Sequence, residues 1–148
     1  MAFRHLVLGL AAIGSLCAAG IAKADPIENR QLLMRANSSA AKVSGEMVKG
    51  NIAFNQDVAN LALNTFAAVS KSFVDFFPEG SETGGDTRAK DTIWSDWDGF
   101  VAADTKFAEA AAAGVAAEPA DLDAFKAVFT PIAENCNSCH ETYRVSRN

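Results

Sequence analysis

The fold is decided by residues 122–143, LDAFKAVFTPIAENCNSCHETY. Apolar side chains recur in this stretch at steps of three or four residues, which places them on one face of a helix. The stripe consists of Leu122, Phe125, Phe129, Ile132, Cys136, His140 and Tyr143. Asp121 is a suitable N-cap, and Pro131 is expected to bend the helix or leave a carbonyl free. The stretch therefore predicts a long amphipathic helix whose core face carries cysteine and histidine.

Cys136, Cys139 and His140 form a C-x-x-C-H motif, the attachment signature of c-type haem. The spacing lets two thiols reach the two vinyl groups on one porphyrin edge, while the next side chain turns under the iron. The motif predicts one covalent haem c with His140 as an axial iron ligand. The alternatives are a disulfide, a thioredoxin-like redox pair and half of a zinc site. They lack support, because the sequence has no second C-x-x-C, no metal-spaced histidine pair and no βαβ pattern.

Residues 1–24 have the pattern of a cleaved signal peptide. A basic start precedes an apolar run over residues 6–21, and Ala22-Lys23-Ala24 is a small-x-small cleavage site. Cys17 lies inside this segment and is expected to leave with it. An uncleaved membrane anchor is the alternative, although the run is short for a membrane span. We expect export to the periplasm, with residues 25–148 as one mature domain.

The charge and histidine count of the mature segment exclude several function classes. The chain has 13 basic and 18 acidic residues, and loss of the signal peptide would leave 11 basic residues and a net charge of −7. This charge argues against nucleic acid or anionic lipid as a partner. His140 would then be the single histidine, which excludes a zinc site, a catalytic triad and two-histidine haem ligation within one chain. A haem peroxidase is also disfavoured, because no distal histidine could assist proton transfer.

The rest of the mature segment predicts three more helices and no strand. The first runs from about Pro26 to Lys49, the second from Asn55 to near Phe77, and the third from Asp91 or Ser95 into the alanine run before Pro119. The polar, glycine-rich sequence EGSETGGD, at residues 79–86, connects the second helix to the third. We therefore predict an all-α, antiparallel up-down-up-down four-helix bundle.

Apolar stripes assign the faces of the first two helices. The first helix has one stripe of Ile27, Arg30, Met34, Asn37, Ala41 and Val48, and a second stripe of Leu32, Ala36, Val43 and Met47. The stripe predicted to be buried on the second helix is Val58, Leu61, Ala62, Thr65, Val69, Phe73 and Phe76. Two stripes on the first helix allow one to face the core and the other a partner subunit, so a homodimer through this helix is a candidate assembly.

Met34 lies at the same depth in the predicted bundle as His140. It follows Pro26 by eight residues, and His140 precedes the C-terminus by eight, so both lie about 12 Å from one end. Met34 can therefore bind the iron opposite His140, or only pack against the porphyrin. Met47 lies roughly 20 Å further along the helix and belongs to the far end. The aromatic residues that fall near the iron, and either wall the pocket or fill the core, are Phe73, Phe76, Phe77, Trp94 and Trp97.

A C-x-x-C-H motif almost at the C-terminus, in the last of four helices and followed by Tyr143 and Arg144, resembles the class II cytochromes c, the cytochrome c′ group. The resemblance is sharp at residues 136–144, and moderate at RQLLM (residues 30–34) and IWSD (residues 93–96). It implies that a methionine at position 34 marks the six-coordinate, low-spin electron carriers. Members with a non-ligating residue there are five-coordinate and bind nitric oxide or carbon monoxide.

Two arginines are candidate contacts of the haem propionates or the haem edge. Arg30 lies one helical turn before Met34, where the resemblance implies a basic residue, and Arg144 lies one turn after His140. The alternative for each is an ordinary solvated charge. The expected function is a periplasmic monohaem one-electron carrier with redox proteins as partners and no enzyme activity. The alternative is a cytochrome c′ that binds nitric oxide or carbon monoxide, with Met34 as a pocket wall.

Overall fold

The computed structural model describes residues 25–146 of the chain. Its α-helices are α1 (Pro26–Val48), α2 (Gln56–Ser70), α3 (Thr92–Ser95), α4 (Trp97–Ala117) and α5 (Leu122–Tyr143), with a 3₁₀ helix at Phe73–Phe76. Residues 25–146 contain no strand, and one isolated bridge joins Ala89 to Arg144. The proposed signal peptide, including Cys17, lies outside the described residues. No helix within 25–146 is long and apolar enough to cross a membrane.

The first helix begins and ends close to its predicted bounds. Asp25 caps α1 by accepting a 2.8 Å hydrogen bond from the Ile27 amide, and Pro26 occupies the first turn. After Val48 the chain turns at Gly50, whose φ of 76° is left-handed and suits glycine.

The second helix begins after Asn55 as predicted, but it ends at Ser70 instead of near Phe77. Asn55 accepts a 3.0 Å hydrogen bond from the Val58 amide. At the other end, Ser72 leaves helical geometry with φ −138° and ψ 1°, and a 3₁₀ helix follows. Arg30 contacts this departing segment by donating a 3.4 Å hydrogen bond to the Phe76 carbonyl. This tertiary contact with α1 therefore favours the end of α2 at Ser70 over a longer helix.

The predicted buried face of α2 is wrong. Leu61 was assigned to the buried stripe of α2 but is 69% exposed, because α2 turns Ala59, Leu63 and Phe66 into the core instead. The buried face of α2 is therefore rotated away from the predicted stripe, toward the side that carries Leu63 and Phe66. On α1, where either stripe could face the core, Met47 of the second stripe is fully buried.

The third predicted helix is divided into α3 and α4. Asp96, with φ −131° and ψ 53°, separates them. Gly114 lies inside α4, which continues to Ala117. A Cβ at Gly114 would lie 2.9 Å from Leu63 Cδ2, so this glycine permits the close packing of α4 on α2. Glu118 then ends the helix in the left-handed conformation just before Pro119.

The helix that carries the C-x-x-C-H motif is observed as predicted, with Asp121 accepting a 2.9 Å hydrogen bond from the Ala124 amide. The four long helices pack in the ring α1, α2, α4, α5 and back to α1, which confirms the four-helix bundle. One buried cluster, the far core, contains Ala40, Met47, Ala59, Ala62, Leu63, Phe66, Phe107, Ala111, Phe125, Phe129 and Ile132. A second cluster, the motif-end core, contains Phe77, Ile93, Phe100 and Tyr143.

Candidate functional site

A cavity of about 630 Å³ lies beside the two buried clusters. Its walls come from α1, α4, α5 and residues 86–89 of the loop before α3, and Phe77, Phe100 and Phe107 contribute aromatic surface. This volume lies within the range of about 300–1,000 Å³ that is typical of cofactor and ligand sites. The bundle therefore encloses a space of the size that a prosthetic group requires.

The three motif residues lie together in the wall of this cavity. Cys136, Cys139 and His140 all line it and are all partly buried. Cys136 packs against the far core, whereas Cys139 packs against the motif-end core. Both cysteines are free thiols. The last helix therefore presents two reactive sulfur atoms and an imidazole to the same cavity.

Burial sets the protonation states of these groups. It raises the pKa of the Cys136 thiol, and, together with the negative charge of Asp104, raises the pKa of the Cys139 thiol to about 11. Catalytic redox C-x-x-C pairs need the opposite shift, toward a thiolate. The pKa of His140 is lowered by burial and then by the positive charges of Arg144 and Arg88. A neutral imidazole keeps a nitrogen lone pair for a metal ion.

Met34 lines the same cavity from α1 and is partly buried there. Met47, fully buried in the far core, does not line it. Within residues 25–146, the cavity therefore brings together one methionine and the single histidine, from helices that pack against each other.

Arg30 lines the cavity, but its guanidinium also has partners that the sequence does not indicate. It is 5% exposed. Nη2 donates to the Ser81 carbonyl and the Thr87 hydroxyl, each at 2.7 Å, and Nη1 donates to Ser81 Oγ at 3.2 Å. The guanidinium also lies 4.8 Å from the ring centroid of Phe77 and 5.7 Å from that of Trp94. Arg30 therefore fastens the loop before α3 to α1.

Arginine is concentrated around this cavity. All four arginines of residues 25–146 line it, namely Arg30, Arg35, Arg88 and Arg144, whereas no lysine does. None of the four forms an ion pair with a carboxylate within the described part of the chain. Arg88 donates a 2.5 Å hydrogen bond to the Val145 carbonyl, which holds the end of the chain beside the cavity. Arg88 was not predicted as a site residue, because a loop position carries no periodic signal.

The predicted aromatic residues divide into two groups. Phe73 and Phe77 line the cavity. Phe76, Trp94 and Trp97 do not, and Trp97 is 39% exposed. Trp94 instead supports the wall from behind, because its indole Nε1 donates a 3.1 Å hydrogen bond to the Phe77 carbonyl.

Two further polar groups in the cavity were not predicted as site residues. Asn37 is 7% exposed, and its Oδ1 has no hydrogen-bond partner among the described residues. Asp104 lies on α4, and burial raises the pKa of its carboxyl group to about 6. Asn37 falls on the core stripe of the first helix, so periodicity places it in the interior but does not reveal an unpaired oxygen.

A covalently attached haem fits this set of groups. The cavity has apolar walls for a macrocycle, two free thiols at the attachment spacing, a neutral imidazole and arginines that can pair with carboxylates. A buried amide oxygen without a partner costs about 1–3 kcal/mol. The Asn37 Oδ1 carries this cost within residues 25–146, and a haem has no donor to pair with it, so the fit depends on the thiols, the imidazole and the arginines.

Comparison with known proteins gives consistent matches. The family model described as Cytochrome C' matches residues 25–144. A cytochrome c′ of Rhodopseudomonas palustris is 35% identical over 144 residues, which cover 96% of this chain and 95% of that protein. A cytochrome c-556 of Agrobacterium fabrum is 31% identical over 134 residues, covering 90% of each. The solved structure of the Rhodopseudomonas palustris cytochrome c′ has a TM-score of 0.80 at 33% identity, covering 85% of this chain and 100% of that one.

Proposed function

The chain belongs to the cytochrome c′ family, whose members carry covalent haem c, and we propose that it is a one-electron carrier whose haem iron is bound by His140 and Met34. The supporting observation is that both C-x-x-C-H cysteines, His140 and Met34 line the same cavity. Relatives named cytochrome c′ and cytochrome c-556 both match the chain. Whether the sixth coordination position of the haem iron is closed by a protein ligand or left open therefore depends on Met34 itself.

Each motif residue has a defined part in this proposal. The thiols of Cys136 and Cys139 form thioether bonds to the haem, and the neutral imidazole of His140 binds the iron. Met34 supplies a thioether sulfur, a soft and neutral ligand that favours the reduced iron. The bound haem supplies the one-electron redox chemistry, and the protein supplies attachment, ligands and a largely apolar cavity.

The arginines have two different parts in the proposal. Arg144 is exposed and follows His140 by one helical turn, so its guanidinium is available to a propionate or to the haem edge. The Arg30 guanidinium already donates hydrogen bonds to Ser81 and Thr87, which hold the loop before α3. A contact with a propionate would be a second role for this side chain. Both arginines remain candidate haem contacts.

The absorption spectrum of the ferrous protein tests the proposal. Sharp, split low-spin bands and little reaction with carbon monoxide are expected for the wild type. Met34→Leu should convert this spectrum to a broad high-spin one with ready carbon monoxide binding. Met47→Leu is the matched control, because Met47 is buried in the far core and should leave the spectrum unchanged. A Met34→Leu protein with the wild-type spectrum would show that Met34 is not a ligand.

The second candidate function is a five-coordinate cytochrome c′ that binds nitric oxide or carbon monoxide. The observation that favours it is the match to proteins named cytochrome c′, among them a solved nitric oxide complex of a cytochrome c prime from Alcaligenes xylosoxidans. A wild-type spectrum that is already high-spin would support this function over electron transfer.

We also propose that residues 1–24 are a signal peptide and that the protein acts in the periplasm. The family model matches residues 25–144, and Asp25 is the N-cap of α1, so the matched segment and the first helix begin at the proposed cleavage site. Mass spectrometry of the exported protein should give a mature N-terminus at Asp25. An intact N-terminus on a membrane-bound protein would instead support the anchor.

The proposed partners are redox proteins, with a homodimer through α1 as the candidate assembly. Leu32 on α1 is 49% exposed and Leu61 on the neighbouring α2 is 69% exposed, which leaves apolar surface on adjacent helices. Sedimentation of the wild type and of a Leu32→Glu, Leu61→Glu variant tests this. A dimer that becomes a monomer is the expected result, and a wild-type monomer would contradict the assembly.

A further inference from the structure

We infer that Asp104 couples the redox state of the haem to a proton, so that its carboxyl group takes up a proton when the iron is reduced and releases it when the iron is oxidised. The inference rests on the proposed function, because it requires a haem in the cavity whose iron carries one electron. It holds whether or not Met34 binds that iron. It adds proton uptake at a named residue to a site otherwise described by attachment, ligation and arginine contacts.

The position of Asp104 is the first observation. The residue lies on α4 and lines the cavity, within one helical turn of Phe100 and Phe107, which line it too. The negative charge of Asp104 raises the pKa of the Cys139 thiol, so the two side chains lie close enough to interact. Ala103, the preceding residue, packs together with Cys139 on the motif-end core. Asp104 is therefore on the side of the cavity where one thioether bond would hold the haem.

The second observation is that the Asp104 carboxyl group is partly buried and has no charged partner. It forms no ion pair with a lysine or an arginine among residues 25–146. Burial raises its pKa from 3.8 to about 6, and no such ion pair opposes that shift. Asp86 also lines the cavity, but it is exposed, so water weakens its interaction with any charge inside. A change of charge in the cavity should therefore act more strongly on Asp104 than on Asp86.

The other charged and titratable groups of the cavity cannot replace Asp104 in this role. In the described part of the chain they are the four arginines, Asp86 and four residues of α5, namely Cys136, Cys139, His140 and Tyr143. An arginine does not lose its proton in a folded protein. The thioether bonds would use both cysteines, and the iron would use His140. The pKa of Tyr143 is raised to about 12. Asp104 is therefore the partly buried group that titrates nearest to neutral pH.

Electrostatics gives the direction of the coupling. Reduction adds one negative charge to the cavity and so disfavours a carboxylate in its wall. The pKa of Asp104 is therefore higher in the ferrous protein than in the ferric protein. In the balanced step, ferric iron and the Asp104 carboxylate take up one electron and one proton to give ferrous iron and a neutral carboxylic acid. The electron comes from a reduced redox protein, and the proton comes from solvent.

The dimensions of a helical bundle give the size of the effect. Neighbouring helix axes are about 8–10 Å apart, and a unit charge at about 10 Å in a medium of dielectric constant about 20 shifts a protonation equilibrium roughly tenfold. For a one-electron couple, a tenfold change corresponds to about 59 mV. The reduction potential should therefore fall by about 59 mV as the pH rises through a window near pH 6.

Redox titration of the haem-loaded protein at a series of pH values tests the inference. Asp104→Asn should have the wild-type potential in acid, where both side chains are neutral. Above the window its potential should be about 59 mV higher, or tenfold in the equilibrium constant, because an amide supplies no negative charge to stabilise the ferric form. Asp104→Glu keeps a carboxyl group and should keep the fall. Haem propionates titrate in every variant, so their contribution cancels in these comparisons.

Asp86→Asn is the matched control, because it removes an exposed carboxylate from the same cavity lining. It should change the potential by less than about half as much as Asp104→Asn. Infrared spectroscopy of the difference between the reduced and oxidised protein gives a second measurement. Within the window, the carbonyl band of a protonated carboxylic acid should appear on reduction of the wild type and be absent from Asp104→Asn.

The outcomes separate this inference from the proposed function. Equal potentials of the wild type and Asp104→Asn at every pH would overturn the inference, even if Met34 is shown to bind iron. A constant difference at every pH would also overturn it, because such a difference reflects packing or solvation and not a proton. If the spectrum of Met34→Leu shows that Met34 is not a ligand, a fall in potential that Asp104→Asn removes would still support the coupling.

Discussion

The Tyr143 hydroxyl donates a 2.7 Å hydrogen bond to Asp96 Oδ2, which joins the last turn of α5 to the residue that separates α3 from α4. The ring of Tyr143 also packs edge-on against Phe100, at a centroid distance of 5.4 Å. Gly99 leaves room for the Asp96 carboxylate, because a Cβ at that glycine would lie 2.6 Å from Asp96 Oδ1. This contact closes the motif end of the bundle three residues beyond His140.

Tyr143→Phe should lower the free energy of unfolding by about 1–2 kcal/mol, because it removes a hydrogen bond to a carboxylate and keeps the ring contact with Phe100. Chemical denaturation of the haem-loaded protein measures the change. A double-mutant cycle with Asp96→Ala provides the control, and additive effects of the two substitutions would show that the hydrogen bond does not contribute.

The same contact predicts a stability loss in strong alkali. The hydrogen bond to Asp96, with burial, raises the pKa of Tyr143 from 10.0 to about 12. A group whose pKa is raised in the folded state contributes stability that is full below pH 10 and is lost as the pH rises through about 12. Tyr143→Phe should remove this part of the alkaline loss. Identical alkaline unfolding of the wild type and Tyr143→Phe would contradict the assignment.

Arg30→Lys should destabilise the protein by about 2–3 kcal/mol. Lysine keeps the positive charge but cannot reproduce the fork that donates to Ser81 and Thr87. Hydrogen exchange should also show faster opening of residues 81–88. Arg35→Lys is the matched control, because Arg35 lines the same cavity but is exposed, and its effect should stay within about 0.5 kcal/mol. Equal effects of the two substitutions would exclude the loop-holding role.

Arg30 also shows where the sequence stops being informative. Its position on the core stripe of α1 and its depth near the haem end could be predicted from helical periodicity alone. Its partners could not, because Ser81 and Thr87 lie more than fifty positions away in a loop with no repeating pattern. The bundle, the capping residues Asn55 and Asp121, and the presence of the motif helix followed from local signals.

The errors in the sequence prediction have the same physical origin. The end of α2 and the break at Asp96 depend on tertiary contacts, such as those of Arg30 with Phe76 and of Tyr143 with Asp96. The exposure of Leu61 depends on which face of α2 packs against α1 and α4. Such contacts join distant parts of the chain, and the periodicity of a single segment does not contain them.

Gly114→Ala should destabilise the protein by about 1–3 kcal/mol, although alanine favours helices. The new methyl group would lie 2.9 Å from Leu63 Cδ2 and 3.4 Å from Ile132 Cδ1, and because both side chains are fully buried, either Leu63 or α4 itself would have to shift within a packed core. Gly45→Ala on α1 is the control. Its methyl group meets nothing within 4 Å, so it should stabilise the protein by about 0.5–1 kcal/mol. Thermal unfolding of both variants gives the comparison, and stabilisation by Gly114→Ala would contradict the close packing.

Asp104→Asn should stabilise the protein near neutral pH and leave it nearly unchanged in acid. Burial raises the pKa of this carboxyl group from 3.8 to about 6, because the cavity wall favours the neutral form. Between these two values the folded state binds more protons than the unfolded state, so stability falls as the pH rises through this window and stays lower above it. An amide at this position carries no charge at any of these pH values and removes the loss.

Denaturation of the wild type and of Asp104→Asn at two pH values measures this effect. One pH lies just below the pKa of the Asp104 carboxyl group in the unfolded chain, and the other lies well above its pKa in the folded protein. The difference between the two proteins should be small in acid and should grow through the window that ends near pH 6. Asp98→Asn on the same helix is the matched control, because Asp98 is exposed and its substitution should change stability little at either pH. A stabilisation by Asp104→Asn of equal size at both pH values would mean that the amide improves packing, and that burial of the Asp104 charge does not oppose folding.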